Sequence, residues 1–235
     1  MQSAAYTHVG LVREVNEDSI IALPEAGIWA VADGMGGHEG GALASQTAVA
    51  AIKAIPSRNR LRDAVNATED ALMEAHEELR QRAVSDFDGR TIGTTIVALI
   101  VRQMVGVCLW AGDSRLYEFS DGRLSQLTTD HDLFNERRAQ GGEPNSRNEV
   151  HRNAITRALG APQPLFLDAI AFQIREGARY LLCSDGLYKD VSNDEISVGL
   201  SETTLDRSGR ALMNACLANG ARDNTSVIVT EYGGV

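Results

Sequence analysis

The stretch Asp33-Gly34-Met35-Gly36-Gly37-His38, directly after the apolar run Ile28-Trp29-Ala30-Val31-Ala32, constrains this chain more than any other. The run has the length and composition of a buried strand, and it predicts one that ends in a carboxylate. Glycine in regular structure costs about 0.5–1 kcal/mol against alanine, yet Gly34, Gly36 and Gly37 follow one another closely here. Such a cluster suits backbone that must bend or approach another group closely. It leaves the Asp33 carboxylate and the Gly34 carbonyl oxygen free to face one ligand, and oxygen donors of this kind suit a hard cation. A tight strand-to-helix turn that merely contains an aspartate accounts for the hexapeptide equally well. Three later aspartates at strand edges tip the choice.

With 235 residues and 43% hydrophobic content the chain can bury one substantial core, and one domain over 1–235 is expected. A net charge of −10 and a pI near 5.0 argue against a nucleic-acid partner. Cys108, Cys183 and Cys216 are odd in number and widely spaced, which fits buried free thiols in a reducing compartment. No basic leader followed by a long apolar core opens the sequence, and no apolar run approaches membrane-spanning length, so a soluble, cytoplasmic protein with no membrane partner is expected.

Short strands are expected at 4–9 and 19–23 around the polar loop Arg13 to Asp18. Helical spacing predicts a helix from Gly41 to Ile55, stopped by Pro56. A second is expected over 61–84, with Leu61, Val65, Leu72 and Leu79 on its apolar face and His76 at the boundary of that face. Hairpins follow at 94–101 with 105–111 and at 115–119 with 123–127. Residues 130–163 are polar with few apolar anchors and read as a helix plus a mobile surface insertion. Strands at 167–174, 179–184 and 225–232 and helices at 193–200 and 205–219 complete the chain. Antiparallel hairpins with segregated helices make the fold class α+β.

Asp113 follows the run to Trp110-Ala111-Gly112, Asp185 ends Tyr180 to Ser184, and Asp223 stands just before the last strand. Strand ends meet along the edges of packed sheets, so these aspartates and Asp33 can converge despite their separation in sequence. Converged, they repel one another and raise each other's pKa. Neutralising them takes divalent charge, and an all-oxygen donor set points to Mg²⁺ or Mn²⁺ over Zn²⁺. A pair of such ions can activate a water for in-line attack on phosphorus.

Six pieces stand in order along the chain: Arg13-x-x-Asn16-Glu17-Asp18, Asp33-Gly34-Met35-Gly36-Gly37-His38, Gly93-Thr94-Thr95, Gly112-Asp113-Ser114-Arg115, Ser184-Asp185-Gly186-Leu187 and Asp223-Asn224-Thr225-Ser226. Each alone is weak; together they closely resemble the metal-dependent protein Ser/Thr phosphatases of the PPM family, bacterial type. The resemblance implies a β-sandwich of two antiparallel sheets flanked by pairs of α-helices, with the metal site at one end and 130–163 as a flap. It implies that Asp33 bridges two core ions, that the Gly34 carbonyl binds one of them, and that Asp185 and Asp223 complete the other. Asp113 with Asp185 would hold a third ion, Glu17 and Asp18 would hold water around the ions, and Arg13 would bind the substrate phosphate. Met35 stands where many eukaryotic relatives carry a histidine as proton donor. His38, His131 and His151 are the nearby candidates, with His131 and His151 expected at the solvated surface.

The function implied is hydrolysis of phosphoserine and phosphothreonine on proteins, opposing a bacterial Ser/Thr kinase whose targets are the substrates, by a monomer. A phosphopeptide-binding pseudophosphatase would not need the full set of carboxylates. A two-metal phosphodiesterase would need a basic track for its polyanion, which the composition lacks. The flap, with Gly141-Gly142 as a hinge and Arg137, Arg138, Arg147, Arg152 and Arg157, is expected to present a basic surface to residues flanking the phosphoserine.

Overall fold

In the computed structural model the described residues are 1–37, 39–139, 141 and 154–233. Among the described residues eleven strands form two antiparallel sheets. One sheet runs β1 (Gln2–His8), β11 (Thr225–Glu231), β10 (Arg179–Cys183), β7 (Arg115–Ser120) and β8 (Arg123–Gln126). The other runs β2 (Asp18–Leu23), β3 (Ile28–Met35), β5 (Ile96–Arg102), β6 (Val105–Ala111) and β9 (Asp168–Gln173), with the short β4 (Gly93–Thr94) extending β3.

Side chains alternate across each strand, and the alternation builds three layers of core. Trp29 and Val31 of β3, Val97 and Leu99 of β5, Tyr180 and Leu182 of β10, and Ile228 of β11 fill the space between the sheets. Their neighbours Ile28, Ala30 and Ala32 face the other way, against α1 (Glu39–Lys53) and α2 (Leu61–Ser85). Across the molecule, Leu181, Cys183, Val227 and Val229 pack on α4 (Asp185–Asp190), α5 (Asn193–Leu200) and α6 (Leu205–Ala218). β5 is buried on both faces through Val101, as a continuous apolar run predicts. The expected α+β sandwich is therefore present, and all three cysteines are buried and free. Among the described residues no helix is long and apolar enough to cross a membrane.

The expectations fail locally. Asp33 does not end its strand: β3 runs on through Gly34 and Met35 because both pair with β4, a two-residue strand too short to show any period. Asp185 opens α4 instead of closing a strand, with Ser184 in extended backbone before it; six residues are likewise too few for a helical signature. His76 is buried, and its Nδ1 accepts a hydrogen bond from the Gly160 N–H at 3.0 Å. The insertion is anchored in the interior near both ends, at 130–132 and 158–159. Asp130, His131, Asp132, Ala158 and Leu159 are all buried. Leu133 and Ala154, and His131 and Thr156, are joined by backbone hydrogen bonds, so its two roots lie together.

Candidate metal centre

The period that sends Trp29 and Val31 between the sheets places Asp33 on that same face, at the end of the sandwich. Asp18 lies directly opposite Asp33 across the β2–β3 ladder. From the other sheet, the Ser184 hydroxyl at the end of β10 donates to Asp18 Oδ2 at 2.7 Å. The two sheets thus meet at a pair of carboxylates.

Backbone around this pair is held by many short contacts. The Thr95 N–H and the Thr94 hydroxyl donate to the Asp33 carbonyl at 2.9 and 3.0 Å, and Thr95 Oγ1 accepts from the Asp33 N–H at 3.1 Å. Ser114 in turn stands 2.8 Å from Thr95 Oγ1. Asn224 fastens the loop before β2: its Oδ1 accepts from the Glu17 N–H at 2.7 Å, and its Nδ2 donates to the carbonyls of Val9 and Val15. Gly34 is required by close approach, since a Cβ there would stand 2.1 Å from the Gly41 carbonyl oxygen and 2.6 Å from that of Glu17. Met35 follows it, and His38 lies outside the described residues.

Around Asp33 and Asp18 stand Asp113, Asp185 and Asp223. Burial first, then the charges of Asp18, Asp185, Asp113 and Asp223, push the Asp33 carboxyl well above its usual range. Burial, with smaller contributions from Asp185 and Asp223, lifts Asp18 to about 7. Burial and then Asp185 lift Asp113 to about 6. Two cations already answer part of this charge: Arg13 Nη2 is 2.8 Å from Asp223 Oδ2, and the Lys189 ammonium bonds Asp185 Oδ2.

Among the described residues no group of three acidic, histidine or cysteine side chains is closed tightly enough to hold an ion as it stands. The donor chemistry nonetheless fits a divalent cation. Asp18 Oδ1 and Asp113 Oδ1 are buried oxygens without a hydrogen-bond partner, and the surrounding donors are all oxygen, as Mg²⁺ or Mn²⁺ requires.

The raised carboxyls carry a pH consequence. Without metal the native state keeps protons that the unfolded chain has released, so the contribution of these groups to stability falls as pH rises from about 4 through 7. A bound cation reverses the sign, because it replaces the protons. The rise in melting temperature on adding Mn²⁺, relative to chelator, is expected to be larger at about pH 8 than at about pH 5.5. A gain independent of pH would separate the cation from these carboxyls.

Other expected participants are elsewhere. His131 is buried, stacked on Trp110 at 5.9 Å, with Nδ1 accepting from the Gly112 N–H and Nε2 at 3.2 Å from Asp168 Oδ2. It braces the turn before Asp113, is not solvated, and turns its Nε2 to Asp168. His151 lies outside the described residues. Arg157 is bound to Asp168 at 2.7 Å and lies 3.8 Å from Glu136, so it is not free basic surface. Arg137 and Arg138 lie on α3 (Leu133–Ala139), whereas Gly142, Arg147 and Arg152 lie outside the described residues.

Sequence reasoning missed Asp130, which holds the Arg115 guanidinium at 2.7 Å. That guanidinium lies 3.4 Å from the Tyr188 ring centroid, and the Tyr188 hydroxyl donates to the Asp113 carbonyl. Only the apolar anchors missing around Asp130 were visible, and they suggested surface.

Carboxylates gather where two β-sheets meet, one sheet backed by α1 and α2 and the other by α4, α5 and α6, and this architecture is that of a known phosphatase family. Residues 12–223 match the family model for protein phosphatase 2C, and the chain belongs to that family. The serine/threonine protein phosphatase PstP of Mycobacterium tuberculosis is 33% identical over 235 residues, 98% of this chain but 45% of that protein, so the chain spans about half its length. Among solved structures, PppA, described as a key regulatory component of T6SS in Pseudomonas aeruginosa, is 38% identical with a TM-score of 0.89, covering 98% of this chain and 97% of that one. The catalytic domain of PstP in complex with two manganese ions is 32% identical with a TM-score of 0.83, covering 97% of this chain and 96% of that one.

Proposed function

We propose that this chain is a protein serine/threonine phosphatase that hydrolyses phosphoserine and phosphothreonine at the end of the sandwich, as one catalytic domain over 1–235. The observation that supports this most is the gathering of Asp18, Asp113, Asp185 and Asp223 around Asp33, whose carboxyl burial and these neighbours push well above its usual range. Asp33, the Gly34 carbonyl, Asp185 and Asp223 would hold two core ions, and Asp113 with Asp185 a third. Mn²⁺ or Mg²⁺, when bound, supplies Lewis-acid activation of water and neutralises the phosphate.

The chain's own residues do the rest. Arg13 is half exposed and uses one nitrogen on Asp223, which leaves the remainder of its fork for phosphate oxygens. Glu17 and Asp18 orient water beside the ions, with Asp18 fixed by Ser184. The Thr94–Thr95 and Ser114 bonds keep Asp33 from swinging as charge moves in the cluster. The natural partners in this reading are phosphorylated cytoplasmic proteins, among them a Ser/Thr kinase and its targets, met by a monomer.

Phosphate release from a phosphothreonine peptide, in chelator and after Mn²⁺ is restored, tests the proposal. Release confined to the Mn²⁺ arm is expected, and equal release in both arms would remove the metal centre from the reaction. Arg13→Ala is expected to lower kcat/KM about tenfold or more, chiefly through KM, with both tight Mn²⁺ ions retained. Arg13→Lys should rescue poorly, since an ammonium lacks the planar fork. Wild-type kinetics in Arg13→Ala would take Arg13 out of phosphate binding.

A further inference from the structure

Lys189 bonds Asp185, one of the two carboxylates assigned to the proposed third ion. It lies one helical turn after Asp185 on α4, a spacing at which the two side chains meet on one face. Its ammonium bonds Asp185 Oδ2, and it is partly withdrawn from solvent while Asp185 is nearly buried. Burial on its own would depress the ammonium, but Asp185, Asp113 and Asp33 together hold it above its ordinary value. Asp113 and Asp185 are the carboxylates assigned to the third ion, and Asp33 and Asp185 are among those assigned to the core pair.

The neighbouring residue closes the arrangement. The Tyr188 hydroxyl donates to the Asp113 carbonyl at 3.0 Å, which ties α4 to the turn that carries Asp113. Asp113 Oδ1 is buried within this arrangement and has no hydrogen-bond partner. A carboxylate oxygen is thus available to a cation on the Asp113 side while Lys189 occupies the Asp185 side. A third ion drawing on Asp113 and on Asp185 Oδ2 has to displace the ammonium, whereas Asp185 Oδ1, which Lys189 does not bond, stays open to the core pair.

We propose that Lys189 is a tethered monovalent competitor for the third divalent cation, which makes the Asp113–Asp185 position weak in this chain while leaving the Asp33-centred pair intact. The inference rests on the phosphatase reading for the existence of the metal centre, and goes beyond it in assigning Lys189 control over how many ions bind. Lys189 acts through Asp185 and is a positioning residue.

Equilibrium Mn²⁺ binding by the whole chain tests it, with bound metal counted directly for wild type, Lys189→Met, Lys189→Gln, Lys189→Arg and the double variant Lys189→Met/Asp113→Ala. Two tight ions and one weak ion are expected in wild type. Lys189→Met and Lys189→Gln should each tighten the weak ion about tenfold, the scale of one partly exposed charge-assisted bond, and leave the tight pair within about twofold. Lys189→Arg should retain the weak ion, and the double variant should show no tightening. Tight ions present in every protein, with the weak ion unchanged in both neutral variants, would overturn the role of Lys189 alone. Tightening that survives loss of Asp113 would place the competition elsewhere and overturn it as well. Absence of any tight ion in wild type would overturn the metal centre and this inference together.

Discussion

Asp33→Asn is expected to abolish both tight Mn²⁺ binding and turnover while leaving the fold intact. The amide matches the carboxylate in shape, so the β3 ladder and the threonine bonds to the Asp33 backbone survive. What disappears is the charge at the centre of the cluster. Loss of activity should reach at least about a thousandfold, the upper range for removing one preorganised electrostatic group. The metal-free variant should melt no lower than wild type at about pH 8, because neutralising Asp33 relieves repulsion from Asp18, Asp185, Asp113 and Asp223. Asp113→Ala should differ, sparing the tight pair and slowing turnover. Calorimetric Mn²⁺ titration alongside melting in chelator checks all of this, and equal loss of tight binding in both variants would show the roles are wrongly divided.

Gly186→Ala is expected to be the most disruptive change outside the carboxylates. A Cβ on Gly186 would stand 2.0 Å from the Asn224 carbonyl oxygen and 2.8 Å from Thr225 Oγ1. Backbone occupies the first of these positions, so α4 must shift away from the start of β11. That shift would part Asp185 from Asp223, and would loosen Asn224 from the Glu17 loop it fastens. A cost of about 3 kcal/mol, the upper part of the usual range for overpacking, corresponds to a fall of roughly 6–12 °C in melting temperature for a domain of this size. Mn²⁺ affinity should fall with it. A variant that melts and binds Mn²⁺ as wild type does would contradict the close approach of α4 and β11.

Long apolar runs and their periods were legible in the sequence. β6 and α5 have the expected bounds, and α2 differs from its expected range by one residue. What the sequence hid was set by pairing at a distance. β3 passes Asp33 only because β4 lies beside it; the expected strand over 94–101 is instead split at Thr95, with Thr94 pairing in β4 and β5 beginning at Ile96. The polar texture of 130–163 concealed roots that are buried through hydrogen bonds and ion pairs, with Asp130 on Arg115 and Thr94 bridged to Leu159.

At the site, the aspartates were readable as residues that end or flank apolar runs, and the family motifs supplied their order. The supports were not readable. Thr95, Ser114, Ser184 and Asn224 matter through partners far away in the chain, and hydroxyls and amides in a strand carry no signature of what they will hold. The cations were equally hidden. Arg13 pairs with Asp223 from the opposite end of the sequence, and Lys189 has the spacing of any surface helix pair.

The central claim is that divalent cations bind among these carboxylates. Crystals soaked in Mn²⁺ and measured at the manganese absorption edge test it most directly. Two strong anomalous peaks beside Asp33, one also beside Asp185 and Asp223, are the result predicted. Peaks confined to other surfaces, with none beside Asp33, would contradict the account.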